Sequence, residues 1–441
     1  VLLFLFSKDK HLSSYLDKLT MKSSFHVVPW AHTATMYEVN IRQYTPEGTF
    51  NAFAEHLPRL KEMGINLLWL MPITPISKLN MQGSLGSYYA CSSYTDINSE
   101  FGTKDDFKAL IQRAHELGFK VIIDWVANHT GWDHHWTIEH PEWMMKDAEG
   151  NFTEKNGWHD VIDLNFEVAE MRHELIKAMR YWVNDFDIDG FRCDMAHLVP
   201  LDFWQQARLS CELTKPLFWL AECEVQDYHQ VFDATYSWWW MHETDRYAKA
   251  LTTLHEVRNV LHAYSQYPRG AIKLFFTANH DENSWNGTEY EKYGVAALAW
   301  AVFAFTWHGM PMVYCGQESP NKKRLKFFDK DLIDWNQPPQ LYSFYQKLSH
   351  LRANNPAIFK GESFILPSDK DNELMAFFRR SSNHIVLVLL NVSSHSRLKI
   401  HVHHDWLKGD FKNIFSGLSF HFKEKEEFEL QAGEYLVYEK V

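Results

Sequence analysis

Gly190-Phe191-Arg192-Cys193-Asp194 is a strand-length run that ends on an acid. Two later segments share that form: Phe218-Trp219-Leu220-Ala221-Glu222, and Phe275-Phe276-Thr277-Ala278-Asn279-His280-Asp281. Helix-like stretches lie between them. Short apolar runs with carboxylates at their carboxyl ends are the mark of a parallel α/β enzyme, whose chemistry gathers at that end of the strands. One acid after a strand is commonplace. Three in this order, with Arg and His partners at fixed offsets, are not.

Outward from these runs the alternation continues. Strand-like segments read at 36–41, 66–70, 120–126, 190–194, 217–222, 231–236, 272–277 and 311–315, the number needed for a closed (β/α)₈ TIM barrel. Phe50, Phe53, Leu57 and Leu60 recur at helical spacing before Gly64. Thr103 with Asp106 forms a capping box ahead of an apolar face of Phe107, Leu110, Ile111, Ala114 and Leu117. A further helix runs through Val168, Met171, Leu175, Met179 and Trp182. From Asn128 to about Phe166 the rhythm breaks, and a loop of that length within a compact domain is usually functional. After Pro356 short β-like runs replace the alternation, at 375–378, 385–390, 398–402 and 427–438. The expected organisation is an amino-terminal extension over 1–30, a barrel over 31–129 and 167–355, an inserted loop domain over 130–166, and an antiparallel β-sandwich over 356–441.

A net charge of −12 argues against nucleic acid as a partner, since phosphate recognition needs a basic footprint. It suits a soluble protein with neutral substrates. The 18 Trp and 19 Tyr offer faces that stack on sugar rings, although core packing accounts for most such residues. Trp238, Trp239 and Trp240 are consecutive, so they cannot all face one groove. Five cysteines, odd in number and without C-x-x-C spacing, read as reduced buried thiols in a reducing compartment. The opening apolar run is shorter than a signal-peptide core and meets Lys8, Asp9 and Lys10. No later run is long enough to span a bilayer. Met21-Lys22 reads as a native start after an upstream extension. The cytoplasm is the favoured compartment, with export after a clipped signal as the alternative; oligomeric state is left open.

Asp124-Trp125-Val126-Ala127-Asn128-His129 closes the third strand, Arg192-Cys193-Asp194 the fourth, Glu222 the fifth and Asn279-His280-Asp281 the seventh. In order and position these segments resemble the four signature regions of the α-amylase family, glycoside hydrolase family 13. The resemblance covers barrel, interruption and trailing β-domain. It implies a retaining hydrolase of α-1,4-glucosidic bonds in starch-type glucans or maltooligosaccharides. Such chemistry needs two carboxyl groups about 5–5.5 Å apart, one a nucleophile and one an acid. The resemblance makes Asp194 the nucleophile beside Arg192, Glu222 the general acid and base, and Asp281 the residue that grips the sugar and stabilises the transition state. Arg192, two residues before Asp194, shares its strand face and favours its ionised form. The apolar neighbours of Glu222 raise its pKa. Asp124, His129, Asn279 and His280 are implied sugar contacts. Tyr89 matches a stacking tyrosine, with Tyr88 the one-residue alternative.

A Ca²⁺ ion on Asn128 and Asp163 is also implied, because hard oxygen donors suit it. The family often adds a carbonyl from a His four residues after the nucleophile; here His197 comes three after Asp194. Asp133, His134 and His135 offer a rival transition-metal reading, but no zinc-type spacing supports it. Val161-Ile162-Asp163-Leu164-Asn165 resembles a loop motif nearer to oligo-1,6-glucosidase and neopullulanase-like members. Met195 stands where many α-1,6-acting members carry Val, so the two cues conflict. Neopullulanase, cyclomaltodextrinase or α-glucanotransferase action is the alternative, and a non-catalytic glucan-binding barrel the remote one. The presence of all three acids argues against the last.

Overall fold

A computed structural model describes residues 25–335 and 338–441. The expected start at Met21 and most of the 1–30 extension lie outside the described residues. Residues 25–30 lie against the barrel foot: Val28 is buried, and the Trp30 ring stands 5.5 Å from Phe218.

Eight parallel strands close a barrel in sequential order. They are β1 (Met36–Val39), β2 (Leu67–Leu70), β3 (Lys120–Trp125), β4 (Gly190–Cys193), β5 (Phe218–Ala221), β6 (Ala234–Tyr236), β7 (Ile272–Phe275) and β8 (Met310–Tyr314). Both faces of each strand are covered, which is why the runs are continuously apolar rather than alternating. At Gly190 the backbone takes φ +156°, and a Cβ would fall 1.9 Å from the Phe218 carbonyl oxygen. Only glycine lets β4 approach β5 this closely.

Three elements differ from the sequence reading. The helix expected through Phe50 and Leu60 is two helices, Phe50–Ala54 and Leu57–Glu62. Pro58 has no N–H to give the preceding turn, so the second helix must restart there. The run 231–236 becomes a strand only at Ala234. Before it, Asp233 binds the Trp219 N–H and Arg208 through its side chain, at 3.0 Å each. The run 427–438 splits into two strands around Gly433, which sits at φ +69°.

After β3, His129–Gly131 pairs antiparallel with Val161–Asp163 to form a ribbon beside the barrel mouth. The capping box at Thr103 and Asp106 is formed, and its helix spans Lys104–Glu116. Beyond the barrel come β9 (Glu362–Ile365), β10 (Leu374–Ser381), β11 (His384–Asn391), β12 (Leu398–His403), β13 (Gly409–Asn413), β14 (Ser419–Phe422), β15 (Lys425–Leu430) and β16 (Tyr435–Lys440). A six-stranded sheet runs β9-β10-β11-β16-β13-β14, and β12 pairs with β15 in a second sheet. Successive strand residues face opposite sides. Met375 and Phe377 on β10, with Val386 and Val388 on β11, therefore enter the barrel's core. Their neighbours Ala376, Phe378, Leu387 and Leu389 fill the core between the two sheets. The β-domain is thus packed onto the barrel, with the Phe377 ring 5.0 Å from Trp307.

All five cysteines are buried and unpaired. No helix among the described residues is long and apolar enough to cross a membrane.

Candidate active site

Register places the expected residues together. Asp124 on β3 stands opposite Arg192 on β4, and Cys193 opposite Ala221 on β5. Asp194 and Glu222 are each the first residue beyond their strands, so their side chains meet at the barrel mouth. Arg192 is fully buried between them. Its Nη1 donates to Asp194 Oδ1 at 2.8 Å and to Asp124 Oδ1 at 2.9 Å. Nη2 stands 2.8 Å from Glu222 Oε2, an ion-pair distance without hydrogen-bond alignment. Nε donates to the Tyr236 hydroxyl at 3.1 Å, and the guanidinium lies 4.8 Å above the Trp69 ring.

A second chain of contacts starts on β1. Glu38, fully buried, sits 2.5 Å from His280 Nδ1. His280 Nε2 lies 2.8 Å from the Tyr89 hydroxyl and 3.2 Å from Asp281 Oδ2. Tyr89 in turn donates to Asp124 Oδ2 at 3.0 Å, and its ring stacks on His280 at 5.4 Å. Glu38, His280, Tyr89, Asp124 and Arg192 therefore form one connected network reaching Asp194 and Glu222.

The charges follow from burial and from these partners. Burial pushes Asp194 up to about 6 and Glu222 up to about 7, with Arg192 opposing both. The Met195 N–H also donates to Glu222 Oε2 at 3.0 Å, from a left-handed turn at φ +39°. Burial acts on Asp281 too, but the adjacent His280 outweighs it and holds that carboxyl below its ordinary range. Burial disfavours charge on His280, yet Asp281 and Glu38 hold its pKa well above that of free imidazole. At His129 burial outweighs the pull of Glu154 and drops the pKa to about 4. His280 is therefore held as a cation and His129, which lines the cleft, as a neutral ring. Asp281 is the open acid, its side chain 37% exposed against 8% for Asp194 and 7% for Glu222.

A cleft of about 250 Å³ is lined by Asp194, Glu222, Asp281, Tyr89 and His129, with Trp158, Trp285, Phe327 and Phe328 around its rim. Tyr88 does not line it; its hydroxyl donates to Asn40 and Arg42 lies 4.3 Å above its ring. Asn279 sits beneath the cleft, its Oδ1 accepting the Glu282 N–H at 2.8 Å. His134 packs against Tyr94 and Trp136, while Asp133 accepts two loop N–H groups, which ties that cluster into structure. Trp240 is buried and Trp239 is 49% exposed.

Asn128 and Asp163 are adjacent across the ribbon. Asn128 Nδ2 stands 3.2 Å from His129 Nδ1 and 3.5 Å from Asp163 Oδ1. The pair is closed on itself, and His197 is exposed beyond the Met195 turn. No group of three or more His, Cys, Asp or Glu able to hold a metal occurs among the described residues. Calcium takes six to eight oxygen ligands, so these two side chains alone do not fit it.

Sequence reading missed Glu38, Trp69, Tyr236, Trp158 and Phe327. For Glu38 the signal was present: an acid inside an apolar strand must have a partner there.

A parallel barrel carrying two carboxyls on one guanidinium, beside an open third acid, defines the class of a glycoside-processing barrel. The α-amylase catalytic-domain family model matches residues 23–142 and 137–212. A maltogenic α-amylase, AmyB, from Thermotoga neapolitana is 33% identical, with a TM-score of 0.86 over 93% of this chain and 99% of that one. An α-amylase from Lactobacillus plantarum is 29% identical, with a TM-score of 0.85 over the same shares. Among curated relatives, α-amylase MalA of Haloarcula japonica is 26% identical over 83% of this chain. This chain spans 56% of that relative, and 60% of an α-1,4-glucan:maltose-1-phosphate maltosyltransferase from Salinibacter ruber that is 25% identical over 83% of this chain. The chain belongs to the α-amylase family.

Proposed function

We propose that this protein hydrolyses α-1,4-glucosidic bonds in starch-type glucans or maltooligosaccharides with retention of configuration. The observation that carries this reading is the single Arg192 guanidinium set 2.8 Å from both Asp194 and Glu222. It makes the two carboxyls neighbours, as a double-displacement reaction requires. Their unequal pKa values give them different tasks. Burial raises Glu222 above Asp194, so Glu222 is the better placed of the two to hold a proton and Asp194 to be ionised.

Asp194 attacks the anomeric carbon while Glu222 passes its proton to the departing glycosidic oxygen. That bond breaks, and a covalent glycosyl-enzyme forms on Asp194. Glu222, now a carboxylate, takes a proton from water; the water oxygen bonds to the anomeric carbon and Asp194 leaves. Two inversions restore the α-anomer. Asp281 and the cationic His280 bind hydroxyls of the same sugar and stabilise its oxocarbenium-like transition state. Glu38 acts through His280, holding its ring orientation and its charge.

Proton NMR of maltoheptaose cleavage tests the proposal. Newly formed reducing ends must appear as the α-anomer before mutarotation, and an initial β-anomer would overturn it. Asp194→Asn and Glu222→Gln must each abolish sugar release; near-normal rates in either variant would remove its assigned role.

Neopullulanase, cyclomaltodextrinase or α-glucanotransferase action is the second reading. It is favoured by the Val161–Asp163 strand with Leu164 and Asn165, which brings Trp158 to the cleft rim. Products from pullulan, cyclodextrin and maltotriose distinguish it: panose, ring opening or longer oligosaccharides point to that reading rather than to simple α-1,4 hydrolysis.

A further inference from the structure

At the opposite end of the barrel lies a second cavity, about 520 Å³ in volume. It opens between the amino ends of β7 and β8 and residues 359–363, which lead into the β-domain. Arg269, Lys273, Arg352 and Lys360 face it with His32 and His308, against one carboxylate, Glu362, among the described residues. On a chain with net charge −12, this is a local excess of positive charge.

Two of the cations near it are stranded. Lys273 is engaged, donating to Thr235 at 2.9 Å and standing 3.7 Å from Glu224. Arg352, only 1% exposed, has no such partner among the described residues. Its Nε and Nη2 donate to the carbonyls of Ala34 at 2.8 Å, His32 at 3.0 Å and Gly309 at 2.6 Å. Its Nη1 is buried without a partner among the described residues. Arg379, also buried, donates to the carbonyls of Ala357, Ile358 and Gly361 and to the Ser363 hydroxyl. Burial pushes both guanidiniums down to about 9, Arg352 adding to the effect at Arg379, and no acid among the described residues acts against it. Burial and then the two arginines drive His308 down to about 4. Carbonyl dipoles solvate a buried cation but leave its net charge uncompensated, and buried charges in proteins are ordinarily paired.

We propose that this cavity binds a phosphate-type oxyanion, either free phosphate or the phosphomonoester of a sugar. Guanidinium and ammonium groups match a tetrahedral oxyanion; Arg269 and Lys360 are exposed at the rim where long side chains can close on it, and the buried, acid-free Arg352 and Arg379 add positive charge behind them. The cavity has room for more than phosphate alone. It lies away from the catalytic cleft, at the amino rather than the carboxyl ends of the strands.

The experiment compares wild type with Arg269→Gln/Lys360→Gln, which leaves the buried arginines in place. About 10 mM inorganic phosphate should raise the wild-type Tm by about 2 °C over sodium chloride of equal ionic strength. Phosphate also stabilises proteins generally, by exclusion from their surface. That general part must survive in the double variant while the remainder disappears and calorimetric affinity falls about tenfold or more. Maltooligosaccharide cleavage in the variant should match wild type. Glucose 1-phosphate forms a second arm, with glucose as its control for binding in the cleft. A variant-sensitive response to phosphate assigns the free oxyanion; one to glucose 1-phosphate alone assigns the ester. Equal responses of wild type and variant to both ligands overturn the proposal.

Discussion

Arg192 and Arg352 are both fully buried guanidiniums in one barrel, solvated in opposite ways. At the carboxyl ends of the strands, Arg192 has Asp124, Asp194 and Glu222 around it, together with an aromatic face. At the amino ends, Arg352 has carbonyl oxygens alone among the described residues. Acids around Arg192 hold its charge firmly, with a pKa well above the ordinary value despite burial. Carbonyls around Arg352 do not, and its pKa falls to about 9. The first cation organises reacting groups. The second ties chain segments together, joining the approaches to β1 and β8 through Ala34, His32 and Gly309.

Substitution separates the two. Arg192→Met should lower kcat/KM by about 10³-fold or more, because the acids lose both their alignment and the positive charge that opposes their protonation. Arg352→Met should lower stability by about 3 kcal/mol in urea unfolding while kcat per folded molecule stays within about twofold. If Arg352→Met instead lost activity at full stability, the contrast would collapse. Within the β-domain interface, Phe377→Ala should cost about 3 kcal/mol, again without a change in kcat.

Smaller effects sharpen the electrostatic side of the comparison. Glu38→Gln keeps a hydrogen-bond partner for His280 but removes the charge, and should lower kcat about tenfold. It should also bring the titration of His280 toward ordinary imidazole values, visible as a new limb in the pH profile. Glu38→Asp should recover part of the rate. In the wild type, kcat/KM should follow a bell. Below about 6 it falls as Asp194 is protonated and loses its nucleophilic form; above about 7 it falls as Glu222 loses the proton it must donate. A profile flat from pH 5 to pH 9, on the order of four units, would contradict those assignments. The smallest expected change is with a chelator: EDTA should move the Tm by less than about 1 °C, since Asn128 and Asp163 supply too few oxygens for a calcium cage.

The barrel was legible because each strand is an apolar run and several end in an acid, as Gly190 to Asp194 does. The network around Asp194 was half legible. Asp124, Arg192, Glu222, His280 and Asp281 stand in short contiguous segments, whereas Glu38 and Tyr236 reach the site only through closure of the barrel, which no local pattern reports. Phe327 and Trp285 come from loops without periodicity. Arg352 gave no signal at all: in its helix it reads as an ordinary surface cation, and only tertiary packing buries it. The helix expected around Leu57 shows the reverse case, where Pro58 was present in the sequence and apolar spacing was given too much weight.

The five buried thiols described above make the protein its own unfolding clock. Burial raises every one of them above the ordinary cysteine pKa, Cys91 and Cys223 to about 12. They are spread from the loop after β2 to the end of β8, so each reports on a different sector of the barrel. A thiol reagent added to the native protein should react only as fast as those sectors open. The order in which Cys91, Cys193, Cys211, Cys223 and Cys315 are labelled would give the sequence in which the barrel comes apart, with no engineered probe.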